Sequence, residues 1–402
     1  MKTYADHLSD MGFDVFQDIE EKTFSLDECI LDTEIKENND WFDLKATVKI
    51  GKFEVPFVRL RKHILQGIRE YKLPDGKYAL LPEEWFSTYA DLFKFGKIDV
   101  DRLKINKLHF KILKSSLENL QHKYLDRLEN LHESLQKDEI SVPQELTPTL
   151  RPYQLKGFKW MYMLKKNDFG GCLADDMGLG KTVQTLTLLL NIKNSEEKAE
   201  VIPHTNKQYG QLNLFDHPSP QQGEATEILE ETSPVSLIVM PTSLIYNWEA
   251  EIRKFTPQLT CYKYTGINRT RSADELYQYD IVLTTYGIVR NDYELLRKVA
   301  FHYLILDESQ YIKHPSSKIY KAVNELQSKH KLVLTGTPIE NSLSDLWAQL
   351  NFLNKGLLGS FHFFKNEFIH PIEKHNNQDQ EVKLQALIDP FILRRTKHQV
   401  AK

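Results

Sequence analysis

The 402-residue sequence has few cysteines, no long apolar run and no excess of positive charge. Its three cysteines, Cys29, Cys172 and Cys261, are far apart, which argues against disulfides and zinc and favours a reducing, cytoplasmic compartment. No run of about 18 apolar residues occurs and no basic region precedes an apolar segment at the N-terminus, so neither a membrane span nor a signal peptide is predicted. With a net charge of −4, any affinity for nucleic acid must come from a local basic surface.

A Gly-Lys-Thr sequence follows a short apolar strand predicted over residues 172–174. In the turn between them, Gly178 and Gly180 permit positive φ and a close approach of the backbone to a ligand. Lys181 and Thr182 then open a helix predicted over 183–190. Such a strand–loop–helix unit binds phosphates with backbone N–H groups and the helix N-terminus. The lysine would reach the same phosphates, and the threonine hydroxyl would bind Mg²⁺.

One position departs from the generic phosphate-loop pattern, which has glycine where this chain has Asp175. Taken alone, the loop could therefore be an ordinary glycine-containing turn before a lysine-bearing helix. Four further apolar runs, each followed by a polar loop, argue for the phosphate site, and they lie at residues 237–240, 281–283, 303–306 and 332–334. Continuous apolar runs between amphipathic stretches predict an α/β fold with a buried parallel sheet, whose carboxyl edge holds the ligand.

An acidic pair, Asp307-Glu308, directly follows one of these strands. An aspartate at a strand end opposite a phosphate loop completes Mg²⁺ coordination, usually through water. The neighbouring glutamate is then placed to orient or deprotonate the water that attacks the γ-phosphate. An ordinary acidic pair at a strand end is the alternative, and the Gly-Lys-Thr and Thr-Gly-Thr sequences on either side argue against it.

The motifs occur in the order of a known family. They are LRPYQLKGFKWM, LADDMGLGKTVQTL, PTSLIYNWEAEIRKF, TTYGIVRND, LDESQYIKHPSSK, LTGTPIENSLSDLWAQLNFL and FILRRTK, between about residues 150 and 397. This series resembles the first motor lobe of Swi/Snf-type ATPases, which are helicase-like translocases on double-stranded DNA. The resemblance implies a RecA-like parallel sheet flanked by helices, ATP and Mg²⁺ as cofactors, and duplex DNA as partner. It also accounts for Asp175, because the family has an acidic pair in this loop.

The resemblance implies a role in the ATP site for three groups of residues. The adenine-reading element corresponds to Arg151 and Gln154, the phosphate and Mg²⁺ group to Gly178, Gly180, Lys181 and Thr182, and the metal and water-activating pair to Asp307 and Glu308. Asp-Glu-Ser-Gln replaces the family's usual Asp-Glu-Ala-His or Asp-Glu-Ala-Gln, which leaves both carboxylates in place.

The resemblance also implies DNA-facing residues and a relay that couples them to the γ-phosphate. The relay corresponds to Gln310, Thr335, Gly336 and Thr337, and the loops that follow one DNA strand's phosphates correspond to Pro241, Thr242, Ser243, Thr284, Thr285 and Lys313. Short hydroxyls and backbone N–H groups suit that contact, because phosphate contacts position without reading sequence. Trp248 is interpreted as a helix-face core residue. Arg394 and Arg395 are either a solvated basic pair or lie near a hinge.

Family members have a second motor lobe with a Gln-x-x-x-x-Arg-x-x-Arg motif, whose arginines stabilise charge in the transition state. No such string occurs in these 402 residues. Because an arginine finger contributes about 10³–10⁵ in rate, we expect this polypeptide to be a fragment that holds ATP and hydrolyses it slowly.

The region before the motor lobe has a different composition. We predict a smaller α+β accessory domain over residues 1–140, like the module that precedes the motor in bacterial Swi/Snf-type proteins, and the ATPase lobe over 141–402. The accessory region is predicted to contain a strand over 41–50, helical spacing over 55–68 and a helix over 115–137. Within the lobe, the polar stretch 194–233 is expected to be a mobile insertion.

The main hypothesis is an ATP-driven double-stranded DNA translocase that remodels protein–DNA complexes, with the second motor lobe and a protein bound by the N-terminal region as candidate partners. Two alternatives stay open. One is a motor that acts on RNA polymerase complexes. The other is a nucleotide-gated binding module without sustained hydrolysis.

Overall fold

The computed structural model describes residues 18–19, 22–38, 40–117, 125, 140–195, 234–336 and 342–400. They fall into two compact units, Met1–Asn130 and Leu131–Lys402. Most of the predicted helix over 115–137 and nearly all of the predicted insertion lie outside the described residues. The predicted domain boundary at residue 140 stays a prediction.

The strands of the N-terminal unit are β1 (Asp18–Ile19), β2 (Lys22–Thr23), β3 (Cys29–Glu37), β4 (Trp41–Ile50), β5 (Phe53–Pro56), β6 (Glu70–Lys72), β7 (Tyr78–Leu80), β8 (Lys97–Asp99) and β9 (Arg102–Asn106). The main sheet is antiparallel with the order β3-β4-β9-β8, and β5 pairs with Thr47–Ile50 of β4. The helices of the N-terminal unit are α1 (Arg61–Gln66), α2 (Glu84–Thr88), α3 (Ala90–Phe95) and α4 (Phe110–Ser116).

The strand β4 alternates apolar and polar residues, so that every second side chain from Phe42 to Ile50 is buried. This period of two confirms the strand predicted over 41–50. The helical prediction over 55–68 is wrong at its start, because Val55 and Pro56 pair with β4 as part of β5. The chain becomes helical only at Phe57, through a 3₁₀ turn (Phe57–Leu60) that leads into α1.

The strands of the larger unit are β10 (Gly171–Leu173), β11 (Ser236–Met240), β12 (Cys261–Lys263), β13 (Ile281–Thr285), β14 (Phe301–Asp307), β15 (Ser328–Leu334) and β16 (Ile392–Leu393). They form one sheet in which all seven strands are parallel, in the order β12-β13-β11-β14-β15-β10-β16. The α/β class and all five predicted strands are confirmed. Two short strands, β12 and β16, were not predicted.

Burial explains why these runs form central strands. Every residue of β10, β11, β13 and β14 is buried, as expected where both faces of a parallel sheet are covered. One strand end differs from the prediction, which assigned Thr284 and Thr285 to a loop. Both residues belong to β13, because they continue the ladder opposite Val239 and Met240 of β11.

The helices of this unit are α5 (Pro152–Lys166), α6 (Lys181–Asn194), α7 (Ile245–Phe255), α8 (Tyr286–Asn291), α9 (Tyr293–Leu296), α10 (Lys318–Glu325), α11 (Leu343–Leu353), α12 (Phe361–Phe364), α13 (Gln378–Ile388) and α14 (Lys397–Val400). A π-helical segment (Lys365–Lys374) lies between α12 and α13. The helix predicted over 183–190 is contained in α6. Among the helices of the described residues, none is both long and apolar enough to cross a membrane.

Two buried histidines lie on neighbouring strands, His302 on β14 and His330 on β15. His330 is 4% exposed, and its ring centroid lies 5.2 Å from that of the buried His302. Burial lowers the pKa of His330 to about 3, and the charges of His302, Lys165 and Lys329 act in the same direction. The carboxylate of Asp168 lies 3.9 Å from Nδ1, but it is largely exposed, so water screens its charge.

His330 should therefore make the unit unfold more readily in acid. The unfolded chain binds a proton at His330 below its ordinary pKa of 6.5, and the folded chain resists it down to about 3. The contribution is fully present above pH 6.5 and falls by about 1.4 kcal/mol per pH unit below it. In urea unfolding at a series of pH values, His330→Leu should flatten this slope, whereas the exposed His398→Gln should keep it. Equal slopes in all three proteins would contradict the assignment.

Candidate active site

The loop between β10 and α6 has the backbone of a phosphate loop. Gly178 and Gly180 adopt φ of 86° and 77°, a region that side chains disfavour. A Cβ atom on Gly180 would also lie only 2.6 Å from Nε2 of Gln154. Lys181 is the first residue of α6, and its Nζ donates to the carbonyl oxygens of Asp175 at 2.7 Å and Asp176 at 3.5 Å. The Lys181 ammonium is therefore bound by backbone carbonyls of the loop itself. Thr182 follows on the first turn of the helix.

The predicted adenine-reading residues lie against this loop. The Gln154 side chain accepts from the backbone N–H of Arg151 at 2.9 Å and donates to the carbonyl of Leu179 at 3.3 Å. Both ends of the amide thus bind protein groups, which joins the start of α5 to the phosphate loop. Arg151 is exposed beside it. The structure brings these residues to the predicted site, and adenine recognition stays a prediction.

Asp307, the last residue of β14, is only 8% exposed. Its Oδ2 accepts from Trp248 Nε1 at 2.8 Å, and its Oδ1 accepts from the backbone N–H of Glu308 at 3.0 Å. Burial raises the pKa of the Asp307 carboxyl, and the Trp248 hydrogen bond opposes that rise. The nearby charge of Glu308 raises it further, whereas the charge of Lys181 lowers it. The carboxylate is thus desolvated and within electrostatic reach of the phosphate loop.

The Trp248 contact is a role that the sequence interpretation missed. Trp248 is 1% exposed, as expected for a core residue, but its indole N–H also orients the Asp307 carboxylate. The two residues are 59 positions apart, and only the tertiary fold brings them together. The available signal was the single nitrogen of tryptophan, which finds an acceptor when it is buried.

The turn after Asp307 has a strained backbone and buried polar atoms without hydrogen-bond partners. Glu308 has φ of 52° and ψ of 60°, a left-handed conformation that is uncommon for a residue other than glycine. Among the described residues, the buried Ser309 Oγ and Gln310 Oε1 have no hydrogen-bond partner. Tyr286 donates from its hydroxyl to the Asp307 carbonyl at 2.8 Å. Backbone strain and orphaned polar atoms of this kind concentrate at functional sites.

The predicted relay lies between the phosphate loop and the acidic pair. Thr335 is buried just after β15, and its backbone N–H donates to Leu173 of β10 at 3.2 Å. Gly336 follows, and a Cβ atom there would lie 3.3 Å from Cγ of Met177 in the phosphate loop. Thr337 lies outside the described residues. Gln310 follows Glu308 on the same edge of the sheet.

The predicted DNA-facing residues do not all lie at the surface. Thr242 and Ser243 are exposed, in a 3₁₀ turn after Pro241 that begins α7. Thr284 is fully buried, and its hydroxyl donates to the Tyr264 carbonyl at 3.0 Å, so its side chain cannot reach a phosphate in this structure. Its position inside β13 is the reason.

Two further residues predicted to contact DNA, Thr285 and Lys313, lie at the ends of secondary-structure elements. The Thr285 hydroxyl accepts from the backbone N–H of Ile288 at 3.3 Å and thereby caps α8. Lys313 is half-buried and directly follows the 3₁₀ turn Ser309–Ile312. Both lie near the carboxyl edge of the sheet, but Thr285 is buried, so the half-buried Lys313 is the more accessible of the two.

The structure also separates Arg394 from Arg395. Arg394 is exposed, whereas Arg395 Nε donates to Asp175 Oδ1 at 2.8 Å and Nη2 donates to Asp175 Oδ2. Arg395 is therefore paired with the phosphate loop, at the position where the generic pattern has glycine.

These residues fit ATP with Mg²⁺. The first N–H groups of α6 lack intrahelical acceptors and face the loop, which is the geometry that binds phosphate. Lys181 supplies a cation on the same side, and Thr182 with Asp307 supplies oxygen ligands of the type that Mg²⁺ takes. No group of three or more histidine, cysteine, aspartate or glutamate side chains able to hold a metal ion occurs in the described part of the chain.

Comparison with known proteins gives one consistent family. The SNF2-related domain matches residues 153–402. A putative ATP-dependent helicase/translocase of Bacillus subtilis, YwqA, is 37% identical over 262 residues, which cover 64% of this chain and 25% of the relative. The TATA-binding protein-associated factor mot1 of Aspergillus fumigatus is 36% identical over 276 residues, which cover 65% of this chain and 13% of that protein. An uncharacterized ATP-dependent helicase of Mycoplasma pneumoniae is 31% identical over 375 residues, with coverages of 91% and 29%.

A solved structure shares the fold. The SWI2/SNF2 ATPase core of Sulfolobus solfataricus in complex with dsDNA superposes with a TM-score of 0.53 and 41% identity, over 65% of this chain and 48% of that one. The similarity confirms the predicted RecA-like class. The chain spans between 13% and 29% of the length of the three curated relatives above.

Trp248→Phe should weaken the Mg²⁺ site. The variant keeps a buried ring but removes the N–H that Asp307 accepts, so the pKa of that carboxyl should rise further. We expect a stability loss of about 1–3 kcal/mol from the unsatisfied acceptor and a smaller thermal shift on addition of ATP and Mg²⁺. Trp347→Phe on α11 is the matched control, because it removes an indole hydrogen bond to the carbonyl of Gly359. A parental thermal shift in Trp248→Phe would contradict the role.

Proposed function

The chain belongs to the SNF2-related family, and from this premise we propose that it forms an ATP-binding lobe of a double-stranded DNA translocase that remodels protein–DNA complexes. One observation carries the proposal. The Lys181 ammonium in the phosphate loop and the Asp307-Glu308 pair, of which Asp307 is desolvated, lie at the same edge of one parallel sheet. A cation and two carboxylates in this arrangement match the requirements of γ-phosphate hydrolysis.

The residues of the site divide the work of hydrolysis. Bound ATP would supply the reactive γ-phosphate, and bound Mg²⁺ would neutralise its charge. Lys181 would leave the carbonyls of Asp175 and Asp176 for the phosphates, which are stronger acceptors. Thr182 and Asp307 would hold the metal. Glu308, placed beside them in a strained turn, would accept the proton of the attacking water.

Action on DNA is supported by two relatives and one surface. The archaeal structure is an ATPase core in complex with dsDNA, and the fungal relative is a TATA-binding protein-associated factor. In this chain, the exposed Thr242 and Ser243 follow β11 and the half-buried Lys313 follows β14, and the helix-capping Thr285 ends β13 at the same sheet edge. Short hydroxyls and a lysine are suited to phosphates, so contact without base specificity is the expected mode.

Sustained turnover is expected to need the second motor lobe that the family resemblance implies. The Gln-x-x-x-x-Arg-x-x-Arg sequence that would supply transition-state arginines is absent from residues 1–402. We therefore expect these residues to bind ATP–Mg²⁺ and to hydrolyse it slowly by themselves, and to hydrolyse it rapidly with duplex DNA when joined to that lobe.

Two substitutions should separate binding from chemistry in the two-lobed protein. Lys181→Ala should weaken nucleotide binding, because it removes the charge that faces the phosphates. Glu308→Gln should keep binding and lose hydrolysis, because an amide cannot accept the proton of the water. Calorimetric titration and ATP hydrolysis, each with and without duplex DNA, measure the two effects. Parental binding and hydrolysis in both variants would show that the site is wrongly assigned.

The same hydrolysis assay distinguishes the alternative functions. Stimulation by duplex DNA supports the translocase. Stimulation only by RNA polymerase would favour a motor on polymerase complexes. Binding of ATP without stimulation by either would favour a nucleotide-gated binding module.

Lys313→Glu should weaken duplex binding equally for unrelated sequences. The substitution removes about one phosphate contact, so the slope of log affinity against log salt should flatten by about 1. Lys254→Glu makes the same charge change at the far end of α7, at the opposite edge of the sheet, and should have little effect. Fluorescence anisotropy with two duplexes at several salt concentrations measures both. Salt-independent binding, or a strong preference for one duplex, would contradict the proposed surface.

A further inference from the structure

Arg395 connects three elements of the candidate nucleotide site. Its guanidinium donates to both carboxylate oxygens of Asp175 in the phosphate loop. It also donates to the Tyr153 carbonyl in the first turn of α5 and, at 2.9 Å, to Gln184 Oε1 on α6. A single side chain thus joins the element predicted to read adenine, the loop predicted to bind phosphate and the helix that follows that loop.

The surroundings are built for this contact. The Arg395 side chain is 13% exposed and its partner Asp175 is 0% exposed. Gly157 on α5 makes room for the cluster, because a Cβ atom there would overlap Gln184 Oε1 and lie 2.9 Å from Arg395 Nη2. Planar, bidentate pairing of this kind uses the fixed fork of arginine, which lysine cannot reproduce.

The ion pair acts on Lys181 through the backbone of Asp175. The side chain of Asp175 binds Arg395, and its carbonyl oxygen accepts from Lys181 Nζ at 2.7 Å. Without Arg395, a carboxylate out of contact with water would lose its counter-charge and keep only the Gln184 amide at 3.4 Å, and the loop would have to move to hydrate it. That movement would displace the carbonyl that faces Lys181 and the N–H groups that face the phosphates.

The backbone strengthens the same connection. Asp176 N–H donates to the Arg395 carbonyl at 3.0 Å, and Asp176 Oδ2 accepts from the backbone N–H of Lys397 at 2.9 Å. These bonds continue the parallel pairing of β16 with β10, where Cys172 faces Ile392 and Leu173 faces Leu393. Residues 392–397 therefore run alongside the strand and loop that carry the phosphate site.

We propose that Arg395 is a positioning residue for nucleotide binding, which holds the phosphate loop through Asp175 and thereby sets where Lys181 meets the phosphates. The inference rests on the proposed function, because it needs the loop to bind ATP. The two adjacent arginines then have different roles, since Arg395 supports the loop and the exposed Arg394 does not.

The test is calorimetric titration of Mg²⁺–ATP and Mg²⁺–ADP into the 402-residue chain and its variants. Arg395→Gln should weaken both nucleotides by about tenfold, the lower end of what loss of a supporting partner costs at bound-ion sites. Arg395→Lys should also weaken them, since a lysine keeps the charge and loses the fork. Arg394→Gln makes the same charge change on the neighbouring residue and should bind like the parent.

A double variant keeps the test decisive if Arg395→Gln folds poorly. Asp175→Asn with Arg395→Gln removes both buried charges, so its unfolding midpoint should lie nearer that of the parent. Its nucleotide affinity should stay low, because the fork that holds the loop is still absent. Parental affinity in the double variant or in a folded Arg395→Gln protein would overturn the inference. Arg395 would then stabilise the fold without contributing to nucleotide binding.

Lys181→Ala distinguishes this failure from failure of the proposed function. If the parent binds no nucleotide, or if Lys181→Ala binds like the parent, the proposed function itself is wrong. If binding is lost in Lys181→Ala and retained in Arg395→Gln, only the inference about Arg395 is wrong.

Discussion

The candidate site depends on one constraint, which is that all seven strands of the larger sheet run in the same direction. Parallel strands place their carboxyl ends at one edge, so the loops that follow them meet there although they are far apart in sequence. The phosphate loop follows β10, Thr335 follows β15 and Glu308 follows β14, three neighbouring strands. The same constraint requires both faces of the sheet to be covered, which explains why β10, β11, β13 and β14 are buried throughout.

Local patterns made much of this arrangement predictable. The Gly-Lys-Thr loop and the Asp307-Glu308 pair were identified because each chemistry-bearing residue directly follows an apolar run, and the run fixes where the strand ends. Thr284 was placed wrongly for the complementary reason. Its polar side chain suggested a loop, but pairing with Val239 extends the strand, and the hydroxyl finds the Tyr264 carbonyl inside the core. A strand end that is decided by its neighbour cannot be found in the strand's own sequence.

Contacts across long sequence separations were not predictable at all. The pairs Arg395–Asp175 and Trp248–Asp307 are separated by 220 and 59 residues, and neither leaves a periodic signal. The two-residue strand β16 has the same origin, because it exists only through its ladder with β10. The two residue pairs and β16 have one property in common. In each, a side chain or a short segment from elsewhere in the chain supplies a hydrogen-bond partner to a buried polar group that the local motif leaves without one.

Two buried carboxylates beside a phosphate site present an electrostatic problem, since each repels an incoming polyanion and each costs free energy to desolvate. The structure treats them differently. The Asp175 carboxylate binds the fork of Arg395, which neutralises its charge, while the carbonyl oxygen of the same residue accepts from Lys181. Asp307 receives two neutral donors, from the Trp248 indole and from the backbone N–H of Glu308, which leave its charge available to a cation. We therefore infer that a carboxylate in the generic loop's glycine position is compatible with phosphate binding because residues 392–397 bring an arginine to it. The departure from the generic pattern and the FILRRTK segment are consequently two halves of one structural feature.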